Sequence, residues 1–230
     1  MAAFNEPLVI AVDGPSGAGK STASRGLARR LGFQYVDTGA MYRAVAHLAA
    51  TQGIPADDSE RLEALCRDLR FEFREEPDGR LLVLAGGQDV TAEIRRPDVG
   101  QLASAVSAHA GVREHLVRIQ RAMGEGGNVV MEGRDIGTVV FPNASVKFFI
   151  TADPVARARR RALELSARGL ITDAARVETE QTERDARDSS RVHAPMREAP
   201  DAVVMDTTEM SLEEVIDAME RIVVERIGSM

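Results

Sequence analysis

Lys20 and Ser21 close the run Gly14-Pro15-Ser16-Gly17-Ala18-Gly19-Lys20-Ser21, a G-x-x-x-x-G-K-[ST] pattern whose residue types suit one kind of ligand, a chain of phosphates. The glycines let the backbone curl until successive N–H groups face a single anion. A lysine at that spacing reaches β- and γ-phosphates, and the hydroxyl beside it is a hard ligand for Mg²⁺. Together with Thr22, these residues form the expected nucleotide-binding segment. The apolar run Leu8–Val12 precedes them, and Ala23, Leu27, Ala28 and Leu31 follow on one helical face, ending at Gly32. A loop between strand and helix is the context in which the pattern has its chemical meaning.

Arginine is the second residue type that could do chemistry. Arg43 lies just after Asp37-Thr38-Gly39, Arg134 follows an apolar run, and Arg184, Arg187 and Arg191 share a polar stretch with Asp185 and Asp188. Arg157, Arg159, Arg160 and Arg161 crowd one further segment. Guanidinium groups placed after strands are suited to neutralising two clustered phosphate groups, whereas the same residues as surface ion pairs would contribute little. No Ser-His-Asp arrangement competes for the chemistry, and His47, His109, His115 and His193 show no metal-ligand spacing. An acceptor that is itself an ionised phosphate needs no general base. Catalysis then reduces to in-line positioning and charge neutralisation.

The elements that must hold these groups read as an α/β fold. Leu8–Asp13, Phe33–Val36, Val129–Met131, Val146–Ile150 and Ala202–Met205 are short apolar runs, each followed by a helix or polar loop, as in a buried parallel sheet. Polar residues cluster just past them, at Asp37-Thr38, Glu132-Gly133-Arg134-Asp135, Thr151 and Asp206-Thr207-Thr208, where open sheets bind ligands. Phe71–Arg74 and Leu81–Leu84 flank the turn Pro77-Asp78-Gly79 as a hairpin, with Asp89-Val90 as a third antiparallel strand. Residues 64–97 are therefore read as an antiparallel insert in a core of residues 1–63 and 98–230. Asp153-Pro154 opens a helix. The stretch Thr172–Arg187 has few large apolar residues and suits a lid over about residues 155–187. Ser211 and Glu214 have the spacing of a capping box for a final helix.

The chain has 230 residues, 44% hydrophobic and 28% charged, which suits one full core plus an insert. A net charge of −7 disfavours a nucleic-acid polymer or an anionic membrane as partner. The single cysteine, Cys66, allows no internal disulfide. No basic leader opens the chain, and no apolar run approaches about 18 residues. A cytoplasmic monomer acting on small molecules is expected.

Four segments carry a resemblance that covers nearly the whole chain: Asp13–Lys20, Asp37-Thr38-Gly39-Ala40-Met41-Tyr42-Arg43, Glu132–Pro142 and Glu183-Arg184-Asp185-Ala186-Arg187-Asp188. In these the sequence resembles the bacterial cytidylate kinases, within the nucleoside monophosphate kinase group. The resemblance implies a three-layer P-loop fold with a five-stranded parallel sheet, an antiparallel β-containing insert that closes over the monophosphate, and a helical lid. It implies transfer of the γ-phosphoryl group of ATP, with Mg²⁺, to CMP or dCMP. Thr38, Arg43, Arg134 and Arg191 would then contact the acceptor phosphate; Ser104, Arg113 and Asp135 would read cytosine; Arg184 and Asp188 would hold the sugar. Lys20 and Arg134, with Arg157, Arg160 and Arg161 of the lid, would meet the transferring phosphates. A carboxylate such as Asp135 rewards the amino group of cytosine and repels the carbonyl of uracil. The chain departs from many relatives at Thr38, where they carry Ser, and at Ser21, where several carry Gly. Thr38 keeps the hydroxyl, and Ser21 restores a side-chain ligand for Mg²⁺.

Two alternatives remain open on the residues alone. A kinase of a neutral-hydroxyl acceptor, of shikimate or gluconate type, shares the loop and sheet but would need a proton acceptor. A nucleotide-dependent switch shares the loop but would be expected to carry an Asn-Lys-x-Asp signature, which is not found.

Overall fold

The computed structural model describes residues 8–167, 169–170 and 173–228. The start of the chain and residues 168, 171 and 172, which fall within the expected lid of about residues 155–187, lie outside them. In chain order the elements are β1 (Val9–Asp13), α1 (Lys20–Leu31), β2 (Gln34–Asp37), α2 (Thr38–Thr51), α3 (Ser59–Arg67), β3 (Phe71–Glu75), β4 (Leu81–Ala85), β5 (Gln88–Asp89), α4 (Pro97–Val106), α5 (Ala110–Gly124), β6 (Val129–Glu132), β7 (Val146–Thr151), α6 (Pro154–Ala167), α7 (Ala174–Ser190), β8 (Val203–Asp206) and α8 (Leu212–Gly228). A 3-10 turn occupies Glu93–Arg95 and a π-helical turn Ile136–Val140.

These elements form two compact units, one of Met1–Tyr35 with Gly126–Met230 and one of Val36–Glu125. The first is built on a five-stranded parallel sheet in the order β2-β6-β1-β7-β8. Ile10 of β1 is in register with Val130 of β6 on one side and Val146 of β7 on the other, so the apolar run that opens the chain is the centre of the sheet. All four residues of β6 are buried, as a strand covered on both faces requires. Helix α8 packs on α1 where Gly26 leaves room for Ile216: a Cβ on Gly26 would lie 2.3 Å from Ile216 Cδ1. Arg30 of α1 adds an ion pair to each of Glu213, Asp217 and Glu220 of α8.

The second unit packs α2 to α5 with the antiparallel sheet β3-β4-β5. Phe71 pairs with Ala85 and Phe73 with Val83 across the hairpin, and its turn runs through Gly79 at φ 79. Met41, Val45, Leu62, Cys66, Val83, Ile94, Val106 and Leu116 share its core. The unit around the antiparallel strands is thus broader than residues 64–97, because the apolar faces of α2, α4 and α5 join the same core. Burial pushes the Cys66 thiol up to about 12, with the Glu63 charge adding to the effect, so this cysteine is a packing residue.

The expected hairpin and capping box form, and the third strand forms at Gln88–Asp89, one residue before the expected Asp89-Val90; Ser211 Oγ accepts Glu214 N–H, and Glu214 accepts Ser211 N–H at 2.8 Å. Helix α7 buries only Val177, Gln181 and Asp188, so its packing is largely polar.

Candidate active site

The phosphate loop joins the end of β1 to α1. Gly14, Gly17 and Gly19 have φ of 137, 77 and 85, values that favour glycine. A Cβ on Gly14 would meet Ile150 O of β7 at 2.0 Å, so space as well as torsion requires glycine there. Gly19 caps α1 without a side chain. The N–H groups of its first turn therefore receive no acceptor from the cap, which is how a helix N-terminus binds an anion. Lys20, 6% exposed, donates from Nζ to Pro15 O at 2.7 Å. Burial, with Arg134 nearby, brings it down to about 7 against the opposing charges of Glu132 and Asp185. Ser21 follows on the exposed side of the same turn.

Behind the loop, Asp13 accepts the N–H groups of Ile136 at 2.8 Å and Gly137 at 2.7 Å. These bonds tie the end of β1 to the π-helical turn that follows Arg134-Asp135. Burial lifts the Asp13 carboxyl to about 7, although both N–H bonds oppose the rise and Asp135 adds to it. Glu132, also buried, accepts the Tyr35 hydroxyl at 2.5 Å.

Helix α7 supplies the carboxylates that organise the cations of this unit. Asp188, 1% exposed, takes Arg134 Nε at 3.0 Å on one oxygen and pairs with Arg191 through the other. Burial works to raise its carboxyl, but Arg134, Arg191 and Arg184 outweigh that and hold it below the usual range. Arg134 is in turn kept charged: burial disfavours its cation, and Asp188 and Asp185 more than offset this. One turn earlier, Asp185 accepts the Ser16 N–H at 3.0 Å and pairs with Arg157, which donates to Ser16 O at 2.9 Å and Ala152 O at 3.1 Å. Both backbone groups of Ser16 are therefore held by an ion pair spanning α6 and α7.

The remaining residues singled out from the sequence divide as follows. Arg160 donates to the carbonyls of Thr207 at 2.5 Å and Thr208 at 3.1 Å, anchoring the loop after β8. Arg161 pairs with Glu164 on α6 at 2.6 Å. Asp135 is buried beside Arg134. In the other unit, Thr38 is buried at the start of α2, and Asp37 caps that helix by accepting Ala40 N–H at 2.8 Å. Asp37 also takes Arg43 at 2.8 Å, with Gly39 leaving room for the pair. Ser104 on α4 and Arg113 on α5 are buried, and the Arg113 guanidinium lies 5.6 Å from the Tyr42 ring centroid.

Asp13, Glu132, Asp185 and Tyr42 were not among the residues singled out as site residues. Asp185 sits in the Glu183–Asp188 run and Asp13 directly precedes the loop, so position alone could have signalled both.

Comparison with known proteins gives this geometry its family. A sequence model described as "Cytidylate kinase" matches residues 10–225. The chain is 51% identical to the cytidylate kinase of Syntrophotalea carbinolica, over 97% of this chain and 94% of that protein. It is 50% identical to that of Geobacter sulfurreducens, over 98% and 96%. It is 49% identical to that of Geobacillus kaustophilus, over 95% and 97%. Among solved structures, a shikimate kinase from Bacteroides thetaiotaomicron shares the fold at TM-score 0.50 and 12% identity, with 95% of this chain and 99% of that one covered.

Proposed function

The chain belongs to the cytidylate kinase family, and from that premise we propose how its residues divide the transfer of the γ-phosphoryl group of ATP to CMP or dCMP. The phosphate loop, Gly14 to Thr22, takes the donor. Lys20 carries the charge nearest the transferring group, recharged when phosphates replace the low-dielectric surroundings that now depress it. Arg134 and Arg157 neutralise charge developing on the phosphoryl oxygens, and Arg160 and Arg161 act from α6 alongside them. The observation that carries this reading is the buried frame in which Asp188 and Asp185 hold Arg134, Arg191 and Arg157 in the unit that bears the loop.

For the acceptor, we assign Thr38, Arg43, Arg134 and Arg191 to its phosphate, Ser104, Arg113 and Asp135 to cytosine, and Arg184 and Asp188 to the sugar. The part around residues 64–97 is proposed as the monophosphate-binding insert, and about 155–187 as the lid. The acceptor phosphate is ionised at neutral pH, so no side chain has to remove a proton from it.

Mg²⁺ fits the donor set. The exposed Ser21 hydroxyl supplies one hard oxygen, and no group of three acidic, His or Cys side chains among the described residues would hold a metal by itself, so the ion would arrive with the nucleotide. When bound, it would offset negative charge on the β- and γ-phosphates. A cytoplasmic monomer is proposed; among the described residues no helix is long and apolar enough to cross a membrane.

The test is ADP formation from Mg-ATP with one acceptor at a time. ADP with CMP and dCMP, far less with UMP, and none with shikimate or gluconate is the expected pattern. ADP formed without an acceptor would reject the assignment in favour of a switch.

A further inference from the structure

Gln181 is 7% exposed on α7, yet neither its Nε2 nor its Oε1 has a hydrogen-bond partner among the described residues. A buried amide left unpaired is costly, and folded chains seldom keep one without a use. Its position indicates the use. A Cβ built on Gly17 would lie 2.5 Å from Gln181 Nε2, so the amide rests against the phosphate loop, in room that only a glycine leaves. Asp185, four residues on and on the same face of α7, holds Ser16 and Arg157, which fixes that face to the loop. Lys20 Nζ stands on Pro15 O at 2.7 Å. The stretch Pro15–Gly17 thus lies beside the lysine that meets the outer phosphates of a bound nucleotide.

We propose that Gln181 is a further donor-site residue, its Nε2 donating to an oxygen of the terminal phosphoryl group of ATP. The inference rests on the phosphotransfer reading and extends it to a residue outside the arginine set. A neutral donor suits the place: it supports a phosphoryl oxygen without adding a cation to Lys20, Arg134 and Arg157. It also makes α7 responsive to the presence of the γ-phosphate, because ADP offers Gln181 no partner there.

The experiment uses the full chain and compares Gln181→Leu with wild type by titration with Mg-ADP, with a non-hydrolysable Mg-ATP analogue and with CMP, alongside melting without ligand. Gln181→Leu should bind the ATP analogue about 10-fold more weakly. Affinities for ADP and CMP should be unchanged, and the free chain should melt no lower, because the unpaired amide is gone. A residue that only packs would instead lower the melting temperature and weaken both nucleotides alike. Equal weakening of ADP and the ATP analogue, or none of either, overturns the proposal. Gln181→Glu keeps the side-chain shape and sets a negative charge against the phosphate. It should lose the ATP analogue more severely than Gln181→Leu while keeping ADP, and wild-type binding of the analogue by this variant overturns the proposal even if Gln181→Leu fails to fold. The phosphotransfer reading is judged separately, by whether the wild type converts ATP and CMP.

Discussion

Cations are held in two different ways in the two units. In the unit bearing the phosphate loop, Arg134, Arg157 and Arg191 are fixed by Asp185 and Asp188 of α7, and both carboxylates are largely buried. In the unit of Val36–Glu125, Arg43 leans on the cap of its own helix and Arg113 on the ring of Tyr42, over an apolar core. The first arrangement is a charged frame in which losing a carboxylate strips a buried ion pair from the arginines it holds. The second sets individual side chains on a core that stands without them. Substitutions in the first should therefore strike turnover and stability together, and those in the second should strike acceptor affinity alone.

Lys20→Ala gives the largest expected effect: a fall in kcat of about 10³-fold with the melting temperature preserved, because a preorganised charge at the transferring group is lost. Turnover near wild type would remove Lys20 from the chemistry. Lys20 also makes a pH prediction. Its folded value near 7 lies below that of a free lysine, so the empty protein is short of a proton at pH 8, and ATP binding restores it. Titration in buffers of different ionisation enthalpy should report proton uptake at pH 8 in wild type and none in Lys20→Met.

Asp188→Ala comes next. Removing one partner of a buried charge group typically costs about 3–5 kcal/mol, and here Arg134 and Arg191 each lose an ion pair. Both stability and kcat should fall. Because Asp188 is held below the usual carboxylate value, its contribution is present above about pH 4 and is lost as pH falls through its lower folded value. Denaturant midpoints measured from neutral to acid pH should show wild type converging on Asp188→Asn. A constant gap would place the pairing elsewhere.

In the other unit the effects are smaller and selective. Tyr42→Leu removes a contact worth about 0.5–2 kcal/mol under Arg113 and should raise KM for CMP without changing KM for ATP. Equal changes in both would erase the contrast between the units. Arg30→Ala, far from either set, should leave kcat unchanged and lower the melting temperature slightly, more at low salt.

The sequence carried the loop, the five strands and the hairpin because glycine spacing, short apolar runs and a Pro-Asp-Gly turn are local signals. Helix α7 was harder to read. It presents Gln181, Asp185 and Asp188 where a helix ordinarily presents leucines, so apolar periodicity is silent about what it packs against. The extent of the second unit was hidden for a related reason. Apolar spacing marks Met41, Val45, Val112 and Leu116 as buried without saying which core they join. The π-helical turn after Arg134-Asp135 leaves no local mark, since Asp13, more than 120 residues earlier, accepts its first two N–H groups. At the candidate site, the arginines and Asp188 were legible, but the ion pairs that Asp185 and Asp188 make with Arg157, Arg134 and Arg191 were not.

The central claim, that this chain passes a phosphoryl group directly from ATP to a cytidine monophosphate, is tested most directly by following the label of γ-labelled ATP in the presence of CMP. The account predicts label recovered in CDP in step with ADP. Label released as inorganic phosphate, with CMP left unconverted, would contradict it.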